Sequence, residues 1–285
     1  MILIWQVRIM LYVYSVLSVI SSFTILYFTG YLKTWHLLWR VPLIALGCFA
    51  ALMVLFLLVI YISTLFVDMR KKVDRPSSYF RFLLNQFSVV ALTFAGVHVH
   101  ATGLEKVPRE GRFMLVCNHR YAIEPLVFYY AMPWADLAFI AKKEAFKIPI
   151  VSQVMHQILC LPIDRENDRA ALKTILKAIE LLKQDKASIA VFPEGGTNHT
   201  DELLLPFRSG TFKIAQKANV PIVICALTNS GAIKKNMFRR RTDVYLDVID
   251  VLQPESFLDE KTFEIGEQAH RLMLDGLATR RAALA

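Results

Sequence analysis

Two long uncharged apolar runs open the chain, and beyond them short apolar runs alternate with amphipathic ones. From Ile9 to Phe28 the sequence reads IMLYVYSVLSVISSFTILYF, and from Val41 to Phe66 it reads VPLIALGCFAALMVLFLLVIYISTLF. A helix crosses a hydrocarbon core with roughly 20 apolar residues, so each run is long enough to span. The first run exceeds the ~7–15 apolar residues of a signal-peptide core, and the second follows after a short loop. The pattern predicts a transmembrane helical hairpin, about 9–29 and 41–67, in an anchor of residues 1–75.

From Gly96 onward the period changes. GVHVHATG, RFMLVC, DLAFIA, CLPID, SIAVF, VPIVICAL and DVYLDVIDVL read as strands, with helical patterns between them,. Such alternation predicts an α/β domain over residues 76–285. The clearest helix starts at Asn167, an N-cap residue, and repeats Leu172, Ile175, Leu176, Ile179 and Leu182 as one apolar stripe,. The stretch SYFRFLLNQFSVVALTFA, residues 78–95, is apolar and aromatic but holds Arg81, Asn85 and Gln86. It predicts an interfacial helix at the start of the domain, or the domain's first packed helix. A charged, modestly amphipathic helix is expected over about 262–284.

Composition sharpens the membrane reading. The 285 residues are 55% hydrophobic with mean hydropathy +0.42, above the need of a water-soluble domain,. Residues 1–75 hold seven Lys/Arg against two Asp/Glu, so +5 of the net +9 lies there. Arg8 precedes the first run, Lys33 and Arg40 lie between the two, and Arg70, Lys71, Lys72 and Arg75 follow the second. That bias puts both ends in the cytoplasm, and the MRKKVDR cluster is either a contact for anionic lipid head groups or a plain stop-transfer flank. A lipid surface is thus the expected partner, and no nucleic acid is. Cys48, Cys117, Cys160 and Cys225 lie far apart without a CxxC pair and read as reduced, buried residues,. His98 and His100 alternate on one strand, but without an HExxH pattern or a third ligand no metal is expected,. Phe128, Tyr129, Tyr130 and Trp134 read as core or as an acyl-chain lining, and Arg239–Arg241 as a solvated turn or a head-group contact.

Candidate chemistry sits where strands end. In VCNHRYAIEP a buried strand stops at Cys117 and is followed by Asn118 and His119, with Glu124 beyond. In an α/β sheet such strand ends are where ligands bind. Residues five apart on one helix point about 140° from each other. His119 and Glu124 therefore meet only if the histidine stands in the loop and the acid in the first turn of the next helix. A carboxylate on one ring nitrogen would fix the tautomer and leave the other nitrogen free to take a proton. VFPEGGTNHT repeats the design: Pro193 ends a strand, and Glu194, Gly195, Gly196 and Thr197 form a loop able to approach a ligand and offer it backbone N–H groups,. Asn198-His199-Thr200 is formally a glycosylation sequon, which a cytoplasmic loop would not present to the machinery.

These residues resemble the glycerolipid acyltransferase family, the 1-acylglycerol-3-phosphate acyltransferases and their relatives. Four ordered blocks carry the likeness over roughly residues 96–250: Asn118-His119 with Glu124; KKEAFKIP through LPIDRE; Phe192-Pro193-Glu194-Gly195; and Val220-Pro221-Ile222. The resemblance implies a mixed-sheet α/β domain. It also implies transfer of a fatty acyl group from acyl-CoA or acyl-carrier protein to the hydroxyl of 1-acylglycerol-3-phosphate, giving phosphatidic acid, with no cofactor. In it His119 is the base and Glu124 its orienter. Arg165 meets the substrate phosphate, and Asn118, Lys142, Glu194, Gly195, Gly196, Thr197 and Arg208 complete the binding set. A direct attack needs no acyl-enzyme, and the chain has no G-x-S-x-G elbow,. The expected location is the cytoplasmic face of a bacterial cell membrane or the endoplasmic reticulum.

The chain departs from the family at two points. Glu124 stands where the family has Asp, adding a methylene. EGGTNHT lacks the arginine that the family carries in block three, a loss of about 1.5–3 kcal/mol to a bound phosphate unless Arg208, Arg165, Lys142 or Lys143 replaces it. Another acceptor, such as a zwitterionic lysophospholipid or a lyso-aminolipid, and a non-catalytic lipid-binding role are the alternatives. A basic cluster around Arg165 and Arg208 would favour a phosphate monoester.

Overall fold

The computed structural model describes residues 9–30 and 39–284, so the flanking Arg8 and Lys33 lie outside the described residues. The chain divides into two compact units between Asp68 and Met69.

The first unit holds α1 (Ile9–Phe28) and α2 (Arg40–Leu65), both long and apolar enough to cross a membrane. Among their described side chains, Ser18, Ser22 and Leu26 of α1 and Phe56, Ile60 and Thr64 of α2 are buried. The fourfold spacing on each helix places these residues on one stripe. The hydroxyls of Ser18, Ser22 and Thr64 each bond a carbonyl of their own helix, at 2.7–2.8 Å. Small, internally satisfied residues at such a seam let two helices approach in an apolar medium. Val13, Val16, Leu46 and Val54 face outward.

The second unit is a seven-stranded sheet in the order β1-β7-β6-β2-β5-β3-β4. The strands are β1 (Val97–Thr102), β2 (Met114–Cys117), β3 (Leu137–Lys142), β4 (Leu161–Ile163), β5 (Ser188–Val191), β6 (Ile222–Thr228) and β7 (Thr242–Leu252). Only the β6–β7 pairing is antiparallel, so the sheet is mixed and β2 to β6 run the same way. Every residue of β2 and β5 is buried, as required of strands covered on both faces,.

One face is covered by α6 (Asp168–Lys183), α7 (Lys213–Ala218) and α9 (Thr262–Leu284). Helix α9 buries Ile265, Ala269, Met273 and Leu277, one residue per turn. The other face meets α4 (Glu124–Ala131), whose Phe128 and Tyr129 rings lie 5.9 and 5.6 Å from Phe139 of β3. Phe128, Tyr129 and Tyr130 are core, and Trp134 carries the Arg109 guanidinium 3.5 Å from its ring centre. Short helices α5 (Val151–Gln157) and α8 (Ile233–Asn236) complete the domain.

Helix α3 (Ser78–Phe94) is the domain's first packed helix, capped by the Ser77 side chain. Its polar residues point inward: Arg81 donates to Leu137 O at 2.7 Å and Asn85 to Pro133 O at 3.3 Å. Tyr79, Phe82 and Phe94 are left outside. In α6 the Asn167 cap forms, accepting from Ala170 N at 3.0 Å. The expected apolar stripe is covered in part: Leu182 is buried and Ile175 and Ile179 pack half-buried on the core, beside Ala178 and Leu181, while Leu172 and Leu176 are exposed. Three of the cysteines are buried and Cys48 is half-buried, all as free thiols.

Candidate active site

Because β2 to β6 run the same way, their carboxyl ends share one edge, where a parallel sheet leaves its ligand crevice,. His119 follows β2, Lys142 ends β3, Arg165 follows β4 and Glu194 follows β5. The sheet thus gathers along one edge residues spread over 76 positions of sequence.

His119 stands in the loop and Glu124 is the first residue of α4. Their Nδ1 and Oε2 atoms are 2.6 Å apart. Glu124 is fully buried, and its Oε1 also accepts the N–H groups of Arg120 and Tyr121 at 2.9 and 3.0 Å. The carboxylate closes the turn that presents the histidine, so the added methylene of Glu over Asp still reaches. A carboxylate only accepts, so Nδ1 bears the proton and Nε2 is left as the basic atom. The imidazole stacks on Phe192 at 4.1 Å, and that ring on Phe139 at 5.7 Å.

Two of the expected substrate contacts, Asn118 and Glu194, are bonded within the protein. The Asn118 amide exchanges two bonds with the backbone of Leu227, at 2.9 and 2.8 Å, and is buried. Glu194 accepts from His119 N at 2.6 Å and from Leu205 N at 2.9 Å. These groups hold the loops together. Burial raises the Glu194 pKa, against the lowering effect of its two backbone donors and of Arg120 and His119.

Gly195 adopts φ +74°, and a Cβ there would stand 2.7 Å from Arg208 Cδ. Only glycine allows the guanidinium so close. A Cβ on Gly196 would lie 3.8 Å from Arg165 Nη1. Arg165 and Arg208 thus converge on the glycine loop, and neither guanidinium has a hydrogen-bond or ion-pair partner among the described residues. Burial and then the neighbouring Arg208 charge lower the Arg165 pKa. The Gly195 N–H is spent on Phe192 O at 3.1 Å, leaving those of Gly196 and Thr197 unbonded among the described residues. Lys142 is exposed, 3.9 Å from Glu144, and Lys143 is held by Asp164 at 2.8 Å. Neither lysine is brought to the glycine loop by a described contact.

Arg120 carries no motif in the sequence, and Asn198 stands out there only as part of a sequon. The Arg120 guanidinium donates to the carbonyls of Thr200 and Glu202. Asn198 N donates to His119 O at 2.7 Å, while its buried side chain binds Thr200 and Glu202. The sequon is therefore occupied by loop structure. The adjacency of Arg120 to the histidine was its only signal. His100 hydrogen-bonds Asp243 at 2.7 Å and stacks on Tyr245 at 4.9 Å. Cys117, two residues before His119, is no nucleophile candidate: burial first, then Cys225, Glu124 and Glu194, push its thiol pKa well up,.

An acyltransferase family model matches residues 98–228, from β1 to the end of β6. The chain is 30% identical over 181 residues to a 1-acyl-sn-glycerol-3-phosphate acyltransferase of Borreliella burgdorferi, covering 62% of this chain and 71% of that protein. It is 26% identical over 186 residues to the enzyme of the same name from Saccharomyces cerevisiae, covering 64% of this chain and 60% of the relative. The crystal structure of the 1-acyl-sn-glycerophosphate acyltransferase from Thermotoga maritima superposes with a TM-score of 0.61 at 24% identity, over 79% of this chain and 88% of that one. The mixed sheet and the arrangement of its helices are those of that fold.

Proposed function

The chain belongs to the acyltransferase family, and from that premise we propose that it moves a fatty acyl group from the thioester of acyl-CoA or acyl-carrier protein to the free hydroxyl of 1-acylglycerol-3-phosphate, giving phosphatidic acid. One observation carries the reading: His119 Nδ1 is held 2.6 Å from a buried carboxylate, on the sheet edge where two unpaired guanidiniums converge on a glycine loop. The names of the relatives supply the substrate class.

His119 Nε2 takes the proton of the acceptor hydroxyl as its oxygen attacks the thioester carbonyl carbon. Glu124 stabilises the imidazolium that forms. The N–H groups of Gly196 and Thr197 face the oxyanion, a contribution worth several kcal/mol in a water-poor site. The C–S bond then breaks, and the leaving thiolate takes the proton back from Nε2. No side chain is acylated, in keeping with the raised pKa of Cys117.

Arg165 and Arg208 bind the acceptor's phosphate, with Arg208 standing beside Gly195 where block three lacks its arginine. Two adjacent unpaired cations suit a phosphate monoester dianion better than a zwitterionic head group. The hairpin of α1 and α2 spans the bilayer with the domain on the cytoplasmic side, where acceptor and product reside. The outer aromatic residues of α3 suit contact with the lipid interface,.

The test is thiol release from a long-chain acyl-CoA by detergent-purified protein, with lysophosphatidic acid or lysophosphatidylcholine as acceptor. Release is expected with the first acceptor and is expected to fall at least about 100-fold in His119→Ala. Retained activity in that variant removes His119 from the mechanism, and a preference for lysophosphatidylcholine overturns the acceptor.

A further inference from the structure

Helix α6 carries more apolar surface than the core covers. Ile175 and Ile179 pack half-buried on the core, while Leu172 and Leu176, next around the helix, are 53% and 56% exposed,. The turn before α5 leaves apolar residues outside in the same way. Ile150 centres a γ-turn, with φ +69° and ψ −53° and the Val151 N–H donating to Pro149 O at 2.8 Å. That conformation is rare and strained, the more so for a β-branched residue, and Ile148, Ile150 and Val151 around it are exposed. Both outcrops belong to one end of the sheet. β3 leads to the γ-turn and β4 to α6, and these two strands close the sheet on that side. Lys143 and Asp164, each just past its strand, are bonded at 2.8 Å. We propose that Ile148, Ile150, Val151, Leu172 and Leu176 form a membrane-contact surface that lies among the head groups and upper acyl chains of a leaflet containing anionic lipid. The inference rests on the reading of α1 and α2 as a membrane anchor and adds which face of the domain meets the lipid.

Two observations select lipid as the occupant. The first is continuity of the chain. Only Phe66, Val67 and Asp68 separate the end of α2 from Met69, where the second unit begins, and extended chain spans at most about 3.6 Å per residue. The segment that follows is fastened to this end of the sheet. His156 Nε2 of α5 donates to Lys71 O at 3.0 Å, Ser77 N donates to Gln157 O at 2.9 Å, and Val73 packs on the core as Ile175 and Ile179 do. The Glu180 carboxyl of α6 is held below its ordinary pKa by its Lys177 bond first and, among the weaker causes, by the Lys72 charge. The chain thus leaves its apolar run and is held at once by the elements that carry the exposed residues. Tyr79 and Phe82 are exposed within the first two turns of α3 beyond the Ser77 bond. The second observation is charge. Lys147, Arg169, Lys173 and Lys183 are exposed and have no carboxylate partner among the described residues. Of the carboxylates between Lys142 and Lys183, Glu144, Asp164 and Glu180 are paired with lysines, which leaves Glu166 and Asp168 at the head of α6. Apolar residues set among unpaired cations suit an anionic lipid surface, with the lysine stems along the acyl chains and their ammonium groups among the phosphates. Arg165 stands between β4 and α6, so the proposed acceptor site borders this surface.

The test uses the full chain in vesicles of phosphatidylcholine and phosphatidylglycerol, with Cys48→Ser as background because the other thiols are buried. A fluorophore is attached at Ile148→Cys or Leu176→Cys. Glu255→Cys, just past the end of β7 that pairs with the start of β6, reports the opposite edge of the sheet, and Val54→Cys reports α2. A nitroxide on the lipid acyl chains is expected to remove more than about half of the emission at Ile148→Cys and Leu176→Cys and little at Glu255→Cys, with aqueous iodide doing the reverse. Iodide quenching at both surface positions as strong as at Glu255→Cys overturns the inference. Protection that appears only when acyl-carrier protein is added also overturns it and gives the face to that protein. Lipid quenching is expected to weaken when phosphatidylglycerol is left out, and equal quenching without it removes the cations from the contact. Lipid quenching at Val54→Cys and at neither surface position removes the surface and leaves the anchor standing, and quenching at the surface positions without Val54→Cys does the opposite. In turnover, the Leu172→Glu/Leu176→Glu variant is expected to raise the KM for lysophosphatidic acid several-fold in vesicles and not in detergent micelles. An equal rise in both would make the two leucines structural and overturn their part in the surface.

Discussion

The histidine loop and the arginine edge lie along one rim of the sheet and are built in opposite ways. Around His119 the polar groups other than Nε2 are spoken for: Glu124 holds the ring and the turn, Glu194 the His119 N–H, Asn198 its carbonyl and Arg120 the neighbouring loop. At the glycine loop Arg165 and Arg208 stand close together with no hydrogen-bonded or ion-paired carboxylate among the described residues, despite the cost that burial puts on Arg165. The contrast suits the two proposed tasks. A base must be fixed before the substrate arrives, because orientation saves reorganisation at the moment of reaction. Binding cations gain most when the ligand is their first partner, since a charge already paired has less to offer.

The sharpest way to break the contrast is to loosen the fixed side. Glu124→Gln keeps the size but weakens the hold on Nδ1–H, and kcat is expected to fall about 100-fold or more with the acceptor KM little changed; an unchanged kcat would strip Glu124 of its orienting role. On the open side, Arg208→Ala is expected to raise the KM for lysophosphatidic acid by about 10–100-fold, with a smaller effect on kcat. Arg165→Ala should behave similarly, and equal losses for lysophosphatidylcholine would show that neither arginine reads the phosphate.

Gly195→Ala tests the boundary between the two. The left-handed backbone costs about 1–2 kcal/mol for a residue with a Cβ, and the methyl group displaces Arg208. A lowered Tm and an acceptor KM raised less than in Arg208→Ala are expected from melting curves and kinetics.

The smallest effect concerns Glu194, whose folded-state pKa is raised by burial. Its contribution to stability is full below the ordinary carboxylate range and is lost as pH rises through the folded pKa. Glu194→Gln does not titrate there, so its stability deficit against the wild type should be widest in acid and narrow toward neutral pH. A deficit that widens toward neutral pH would contradict the direction of that shift.

The legible parts of the molecule were those set by neighbours in sequence. All seven strand runs formed, because each is a short apolar segment closed by a polar or glycine turn. Helical angle set the condition for His119 and Glu124 to meet, a loop position for the first and a first-turn position for the second, and both positions are found. Long-range pairing hid the rest. Arg81 and Asn85 left the sequence open between an interfacial helix and the domain's first packed helix, because their partners lie 56 and 48 residues away. The partners of Arg120 in the loop are 80 and 82 residues distant. The loop bonds of Asn118 and Glu194 were hidden in the same way, because a polar residue at a strand end looks the same whether it meets a substrate or another loop. Leu172 and Leu176 matched the helical period of α6, yet the period says nothing about how far a neighbouring element extends to cover a stripe.

The exchange of two hydrogen bonds between Asn118 and Leu227 lies one step past the last β2–β6 register pair, Cys117 with Cys225. A side chain here does the work of a backbone rung, so the sheet continues under the histidine. The Leu227 amide should accordingly belong to the slowest hydrogen-exchange class, opening only with the whole domain. On heating, loss of turnover should then track the global melt and not precede it, because His119 is tied to the end of a central strand.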